Sequence, residues 1–411
     1  MQKPHMDIAV IGGGAAGFLA AISAKETNRA AHVSIYESGS KVLSKVAITG
    51  GGRCNLTNSF KGITDIRLAY PRGHRLMKRL LKKFGHEDTY RWFESRGVPL
   101  TTQPDQCVFP RSQNSMDIVD CLCETAQGLG VDIHTGHRVC GIGRLDNGFS
   151  ISFANGKSVV AGRVIIATGG SPKADGLGYL AELGQDITPP VPSLFTLCIG
   201  DSGIRSLTGI VVENTEVSIP STKFKAAGPL LATHWGVSGP AVLKLSSYAA
   251  RHLAECGYAC RLSVDWIANI GREQANHEAQ AAAIRHPNGN VVAYNPFNLP
   301  SRLWEKIVAK AGLPYGRKWA EIGGRGFNKL VETLKNSTYR VTGKGAFKEE
   351  FVTCGGVSVS GIDMVTLESK AAPGLYFAGE VMDVDGITGG FNLQAAWTTG
   401  LVAGESCAKS I

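Results

Sequence analysis

Asp7-Ile8-Ala9-Val10-Ile11 is short, apolar and β-branched, the pattern of a strand buried on both faces of a parallel sheet. An alanine-rich helix (Ala15, Ala16, Ala20, Ala21, Ala24) and a second strand, His32 to Glu37, follow. Residues 60–130 read as mostly helical, with a loop from Gly97 to Gln113. From His137 to Val160, short alternating strands are separated by the hairpin signals Asn147-Gly148 and Asn155-Gly156. Arg163 to Gly170 returns the chain to the parallel sheet. After Pro189-Pro190-Val191-Pro192, residues Ser193 to about Pro220 alternate as strands, and Gly228 to Pro240 is a loop opening a helix. Helices dominate from Leu245 to about Leu334, including Arg272 to Arg285 and Ser301 to Ala311. Val352 to Val359 and Leu375 to Ala378 are strands, and the last helix begins near Ala395. The pattern predicts an α/β nucleotide-binding domain in two segments, 1–192 and 346–411, around an insertion at 193–345. Strands are expected at 193–245 and about 320–345 of that insertion, with a helical part at about 246–320.

The turn after the first strand reads Gly12-x-Gly14-x-x-Gly17. Gly12 allows the tight turn, Gly14 lets the backbone approach a pyrophosphate, and Gly17 lets the helix sit close to the strand. Ala15 and Ala16 open the helix, whose unpaired N–H groups and dipole favour an anion. Glu37, twenty residues past Gly17, is placed to accept hydrogen bonds from ribose hydroxyls and to repel a 2′-phosphate. Ser38 and Lys41 extend this set.

A second signature stands near the other end: Gly374-Leu375-Tyr376-Phe377-Ala378-Gly379-Glu380, then Asp385-Gly386-Ile387-Thr388-Gly389-Gly390-Phe391-Asn392-Leu393. Together the two signatures predict that the chain ends meet around one FAD, held non-covalently because no attachment motif is present. Gly379 and Glu380 are assigned to its ribityl or pyrophosphate part. Gly390, Phe391, Asn392 and Leu393 start a helix whose N–H groups face the flavin and stabilise charge on reduction. Between the signatures, Thr49-Gly50-Gly51-Gly52-Arg53-Cys54-Asn55 offers backbone for a large flat ring, with Arg53 as a fixed cation. Gly51, Gly52, Arg53, Cys54 and Asn55 therefore join the cofactor set, with Val139 and the small strand end Thr168-Gly169.

The formal charge of +9 is partly carried by Arg72, Arg75, Lys78, Arg79, Lys82 and Lys83 beside Leu76, Leu80, Leu81 and Phe84. That spacing makes an amphipathic helix with a solvated basic face. Without aromatic interleaving or a base-reading motif, a mild field for anionic cofactors or substrates is expected rather than nucleic-acid binding. No run of about 18 apolar residues suggests a membrane span. The first strand starts within seven residues, which leaves no room for a signal peptide. Ten scattered cysteines point to reduced thiols in the cytoplasm. Cys121-x-Cys123 and Cys256-x-x-x-Cys260 lack a matching second half, so no metal site is expected.

From Gly12–Gly17 and Thr49–Asn58 through Val108–Pro110, Thr233–Pro240, Gly355-Gly356-Val357 and Glu368-Ser369-Lys370 to Gly374–Gly400, the chain resembles the BaiN/RdsA group of NAD(P)/FAD-dependent oxidoreductases, also called aminoacetone-oxidase-like flavoproteins. The resemblance implies a two-segment Rossmann-type FAD domain of the glutathione-reductase type, with a β-barrel-like and a helical insertion. One departure is Cys107 before Val-Phe-Pro, where the family pattern commonly has arginine. The implied activity is FAD-dependent redox chemistry on a small organic substrate. Two directions stay open: reduction of a conjugated C=C bond, as with dehydro bile acids, or oxidation by O₂ of a small amine such as aminoacetone. With one glycine fingerprint only, NAD(P)H is expected as a transient donor. A flavin-binding protein associated with RNA or regulation is the rival reading. His234, in the loop Thr233-His234-Trp235-Gly236, is the expected acid or base, lowered over the flavin by the insertion. Cys54 is the second choice.

Overall fold

The structure is a computed structural model that describes residues 7–171, 173–345 and 352–409. The start of the second nucleotide-domain segment, 346–351, lies outside the described residues. The chain forms two compact units, Met1–Pro192 with Val352–Ile411, and Ser193–Phe351.

In the first unit, five parallel strands stand in the order Leu375–Phe377, Arg163–Ile166, Asp7–Ile11, His32–Tyr36 and Asp132–His134. The central strand is buried from Ile8 to Ile11, which is why its sequence is apolar without alternation. The sheet is thus closed on one side by a strand from near the C-terminus. Helix Phe391–Lys409 lies against the first helix, Ala15–Thr27, at backbone distance. A Cβ at Gly400 would stand 2.5 Å from the Ala16 carbonyl oxygen, and one at Gly404 2.2 Å from that of Ala20. Ser23 Oγ adds a hydrogen bond to Leu401 O at 2.9 Å. Small residues on both helices are therefore a packing requirement.

The hairpin signals are realised in an antiparallel meander, Val139–Leu145, Gly148–Phe153 and Ser158–Ala161. The stretch expected to be a loop from Gly97 to Gln113 instead contains strands Leu100–Thr102 and Cys107–Pro110, the second of which pairs with both the first and Thr57–Asn58. Cys107 is buried there, so its thiol faces the interior. Helix His74–Leu80 carries the basic run, with Arg75, Lys78 and Arg79 exposed. Arg72 departs from the expected solvated face. It pairs through two nitrogens with Asp385, whose side chain is fully buried, and its Nε–Oδ1 distance is 2.5 Å.

The second unit contains a closed six-stranded barrel ordered Leu197–Ile199, Gly236–Ser238, Lys225–Ala232, Val211–Ser218, Cys260–Asp265 and Ser337–Lys344. Two boundaries inside the insertion differ from expectation. Strand Cys260–Asp265 falls in the part read as helical, and helix Gly324–Lys335 fits the helical run expected to about Leu334 while displacing the strands expected from about 320. Helices Arg272–Arg285 and Ser301–Lys310 stand where expected. Trp266, Trp304 and Trp319 are buried in one continuous core with the barrel residues Leu197, Leu230 and Val341.

Candidate functional site

The three fingerprint glycines have different structural reasons. Gly12 has φ +111°, and a Cβ there would sit 2.3 Å from the Ala167 carbonyl oxygen. A Cβ at Gly17 would lie 1.9 Å from Gly12 O. Both are required by the protein itself. Gly14 is not: its φ of −94° suits any residue, and a Cβ there would meet nothing within 4 Å. It caps helix Ala15–Thr27 without a side-chain hydrogen bond to the first-turn N–H groups. Bare backbone, open space and a helix N-terminus together fit a phosphate group.

Glu37 borders this space. Its Oε2 accepts from Gly13 N at 2.8 Å, and its Oε1 from Gly39 N at 2.6 Å and from Ser38 Oγ at 3.0 Å. The carboxylate is fixed in direction while keeping lone pairs for further donors. Ser38 and Lys41 are exposed on the same turn. Beside it stands a ring cluster that sequence reading missed. Tyr36 stacks on His134 with centroids 5.0 Å apart and meets Phe153 at 5.0 Å, while His137 packs edge-on to Phe153. Val139 opens the strand paired to Phe153. Only topology brings these rings together, since they come from three separate strands and a loop.

The Thr49–Asn58 segment is not a plain loop. Helix Ser44–Gly52 is broken inside, with Gly50 and Gly51 left-handed at φ 63° and 69°. Cβ atoms at Gly51 and Gly52 would meet nothing within 4 Å, so this backbone also borders open space. Arg53 folds back onto the Phe109 ring at 4.5 Å and donates to Gly50 O at 3.1 Å. The exposed guanidinium is thereby held by a cation–π contact, which ties the Val108-Phe109-Pro110 motif to the site. Cys54 is fully buried, and desolvation pushes its thiol up to about 12. The thiol is sealed from solvent and held in its neutral form, an arrangement that lends its second-choice catalytic role no support.

The same segment meets the C-terminal signature. With its amide oriented to satisfy both neighbours, Asn55 donates to Thr57 O at 3.1 Å and accepts from Gly390 N at 3.3 Å. Asn58 Nδ2 donates to Gly389 O at 3.0 Å, Thr57 Oγ1 to Gln394 Oε1 at 2.5 Å, and Trp397 Nε1 to Leu56 O at 3.0 Å. Phe391 is buried, its carbonyl receiving the Tyr70 hydroxyl at 2.8 Å. Asn392 closes the preceding turn, accepting from Gly386 N and donating to Gly386 O, and Leu393 is half-buried.

Gly379 joins this assembly to the fingerprint, because a Cβ on it would lie 2.8 Å from Ala16 Cβ. Glu380 is neither a helix cap nor a surface acid. Its Oε1 accepts from Thr353 N at 2.7 Å and its Oε2 pairs with Lys45 at 3.3 Å. Gly169 and Gly170, at the end of strand Arg163–Ile166, lie against the same carboxylate, and Thr168 is exposed beside them. Lys45 and Thr353 had no sequence signal, because their partner is remote in the chain. His234 belongs to the second unit, where it is exposed, packs on Trp235 at 4.7 Å and lines a pocket of about 300 Å³ with Thr196, Thr208 and Thr233.

This fold and glycine cradle define an FAD-dependent oxidoreductase of Rossmann type. The chain belongs to the HI0933-like protein Rossmann domain family, whose model matches residues 6–406. It is 29% identical to the 3-dehydro-bile acid delta(4,6)-reductase of Clostridium scindens, across 98% of this chain and 99% of that one. It is 28% identical to the ribosomal RNA dihydrouridine synthase of Escherichia coli, across 96% of each. Among solved structures it is similar to the 3-ketosteroid delta1-dehydrogenase of Sterolibacterium denitrificans (TM-score 0.53, 12% identity, all of both chains). The 3-ketosteroid-delta4-(5alpha)-dehydrogenase of Rhodococcus jostii gives TM-score 0.51 at 16% identity, covering 100% of this chain and 98% of that one. At such identity these two likenesses establish the fold alone. No helix among the described residues is long and apolar enough to cross a membrane.

Proposed function

We propose that the protein uses FAD to add two hydrogens across a C=C bond conjugated to a carbonyl, with NAD(P)H as donor. One observation carries the reaction: two relatives of different substrate, each spanning nearly the whole chain, share that bond change by name. A 3-dehydro steroid unsaturated at positions 4 and 6 is a dienone. Dihydrouridine differs from uridine by two hydrogens across an enone-like bond.

FAD when bound supplies the two-electron chemistry, and the protein binds, orients and tunes. In this reading the open backbone at Gly14 and the helix start at Ala15 and Ala16 hold the pyrophosphate, and Glu37 holds the ribose. The bare turn of Gly51 and Gly52, the Gly389–Leu393 helix start, and Glu380 with Gly169 line the rest, in the two-segment plan of the glutathione-reductase type. Arg53 and the N–H groups at Gly390 favour negative charge beside them. His234 is the proposed proton donor to substrate. His234→Ala is expected to leave FAD content unchanged and lower turnover about a hundredfold; equal turnover sinks that role.

A second reading places the reduced bond in an RNA base. The exposed Arg75, Lys78 and Arg79 and the relatives named for ribosomal RNA favour it over the sequence expectation. Anaerobic reduction with NADH or NADPH, followed by a steroid dienone, a uridine-containing RNA or aminoacetone, decides among the readings. Reoxidation by the dienone or the RNA upholds the reductase reading. Reduction by aminoacetone, with NAD(P)H inert, overturns it.

A further inference from the structure

We propose that the outer wall of the barrel carries a separate binding site for a nucleotide-sized phosphate ester, built on Arg261 and Arg340. In the pairing of strands Cys260–Asp265 and Ser337–Lys344 these two residues are direct partners, Arg261 opposite Arg340. Both are exposed, and neither has a carboxylate partner among the described residues. Like charges set directly opposite on adjacent strands repel, and an open sheet surface gives no packing reason to keep them there. An anion between the two guanidinium forks reverses the sign of that interaction, and phosphate suits their geometry.

A second observation is independent of the charges. The same residues, with Ala259, Cys260, Thr338 and Tyr339, line a cavity of about 640 Å³, within the range of small-ligand sites. Thr338 is exposed two residues along the strand from Arg340. Arg261 and Arg340 are the only charged residues lining it, so the wall is cationic. A phosphate ester with a ring attached fills such a cavity, whereas bare phosphate does not.

The test uses FAD-loaded protein in phosphate-free, low-salt buffer. Calorimetric titrations with inorganic phosphate, ADP, NADP+ and an RNA oligonucleotide are run on wild type, Arg261→Ser and Arg340→Ser. Saturable binding of ADP is expected, at least tenfold weaker in each variant, as for loss of a charge-assisted hydrogen bond. NADP+ binding like ADP, and weakened by the same variants, identifies a pyridine dinucleotide as the source, and ADP binding alone identifies a free nucleotide. Because the pair repels when empty, each variant is also expected to melt no lower than wild type without ligand. Undiminished ADP binding in both variants overturns the site, as does lower melting of the empty variants. Phosphate binding as tight as ADP, or RNA binding where ADP does not, overturns the proposed ligand.

Discussion

Gly14→Ala separates a glycine kept for a ligand from glycines kept for the fold. The new methyl meets no protein atom within 4 Å, and the backbone there is already extended. Its only cost to the protein is a poorer helix cap, about 1 kcal/mol or less, which lowers Tm of the FAD-free protein by roughly 2–4 °C. Gly17→Ala is the control, since its Cβ would press to 1.9 Å from Gly12 O and must move the helix off the strand. If the space beside Gly14 belongs to a pyrophosphate, the methyl displaces it from the helix N–H groups. Each charge-assisted hydrogen bond lost costs about 1.5–3 kcal/mol, roughly ten- to a hundredfold in affinity. Quenching of flavin fluorescence gives the FAD dissociation constant, and calorimetry of stripped protein gives Tm. Wild-type FAD affinity in Gly14→Ala would refute the reasoning. So would a loss of stripped-protein stability as large as that of Gly17→Ala.

Glu37→Ala is expected to weaken FAD binding ten- to a hundredfold by flavin titration, through lost hydrogen bonds to a charged acceptor. Arg72→Met removes the cation from the buried Asp385 carboxylate and should cost about 3–5 kcal/mol in urea unfolding, much of it recovered in Arg72→Met with Asp385→Leu. Cys54 has its folded-state pKa raised from 9.0 to about 12, so its neutral thiol contributes stability fully present below pH 9. That contribution falls by about 1.4 kcal/mol per pH unit as the unfolded thiol ionises, until pH reaches the folded value. Cys54→Ala should flatten the decline between pH 9 and 11 in urea midpoints; an unchanged slope counts against it.

Much of the nucleotide-binding framework was legible because its signals are local. Asp7–Ile11, the three glycines and Glu37 state strand, turn, helix and acid within one stretch. Helix Arg272–Arg285 could be read for the same reason. The errors share an opposite cause. Leu100–Thr102 and Cys107–Pro110 are too short for periodicity to register, and the second strand's other partner, Thr57–Asn58, lies far back in the chain. Cys260–Asp265 is a strand because the barrel needs it between Val211–Ser218 and Ser337–Lys344, while helical sequence surrounds it. Arg72 looked solvated because its neighbours Arg75 and Lys78 are; the carboxylate that draws it inward is 313 residues away. Lys45, Thr353 and the rings around Tyr36 were invisible on the same ground.

The close seat of Gly400 and Gly404 on Ala16 and Ala20 has a bearing on how the chain is made. About 380 residues separate Ala20 from Gly400, which at 5–20 residues per second is roughly twenty seconds to over a minute of translation. Throughout that interval the first helix leaves the ribosome with the face meant for its partner still bare. The fingerprint helix is thus made long before the helix it packs against. A nascent chain stalled before Gly400 has the fingerprint in full yet lacks the helix that packs at backbone distance against Ala16 and Ala20.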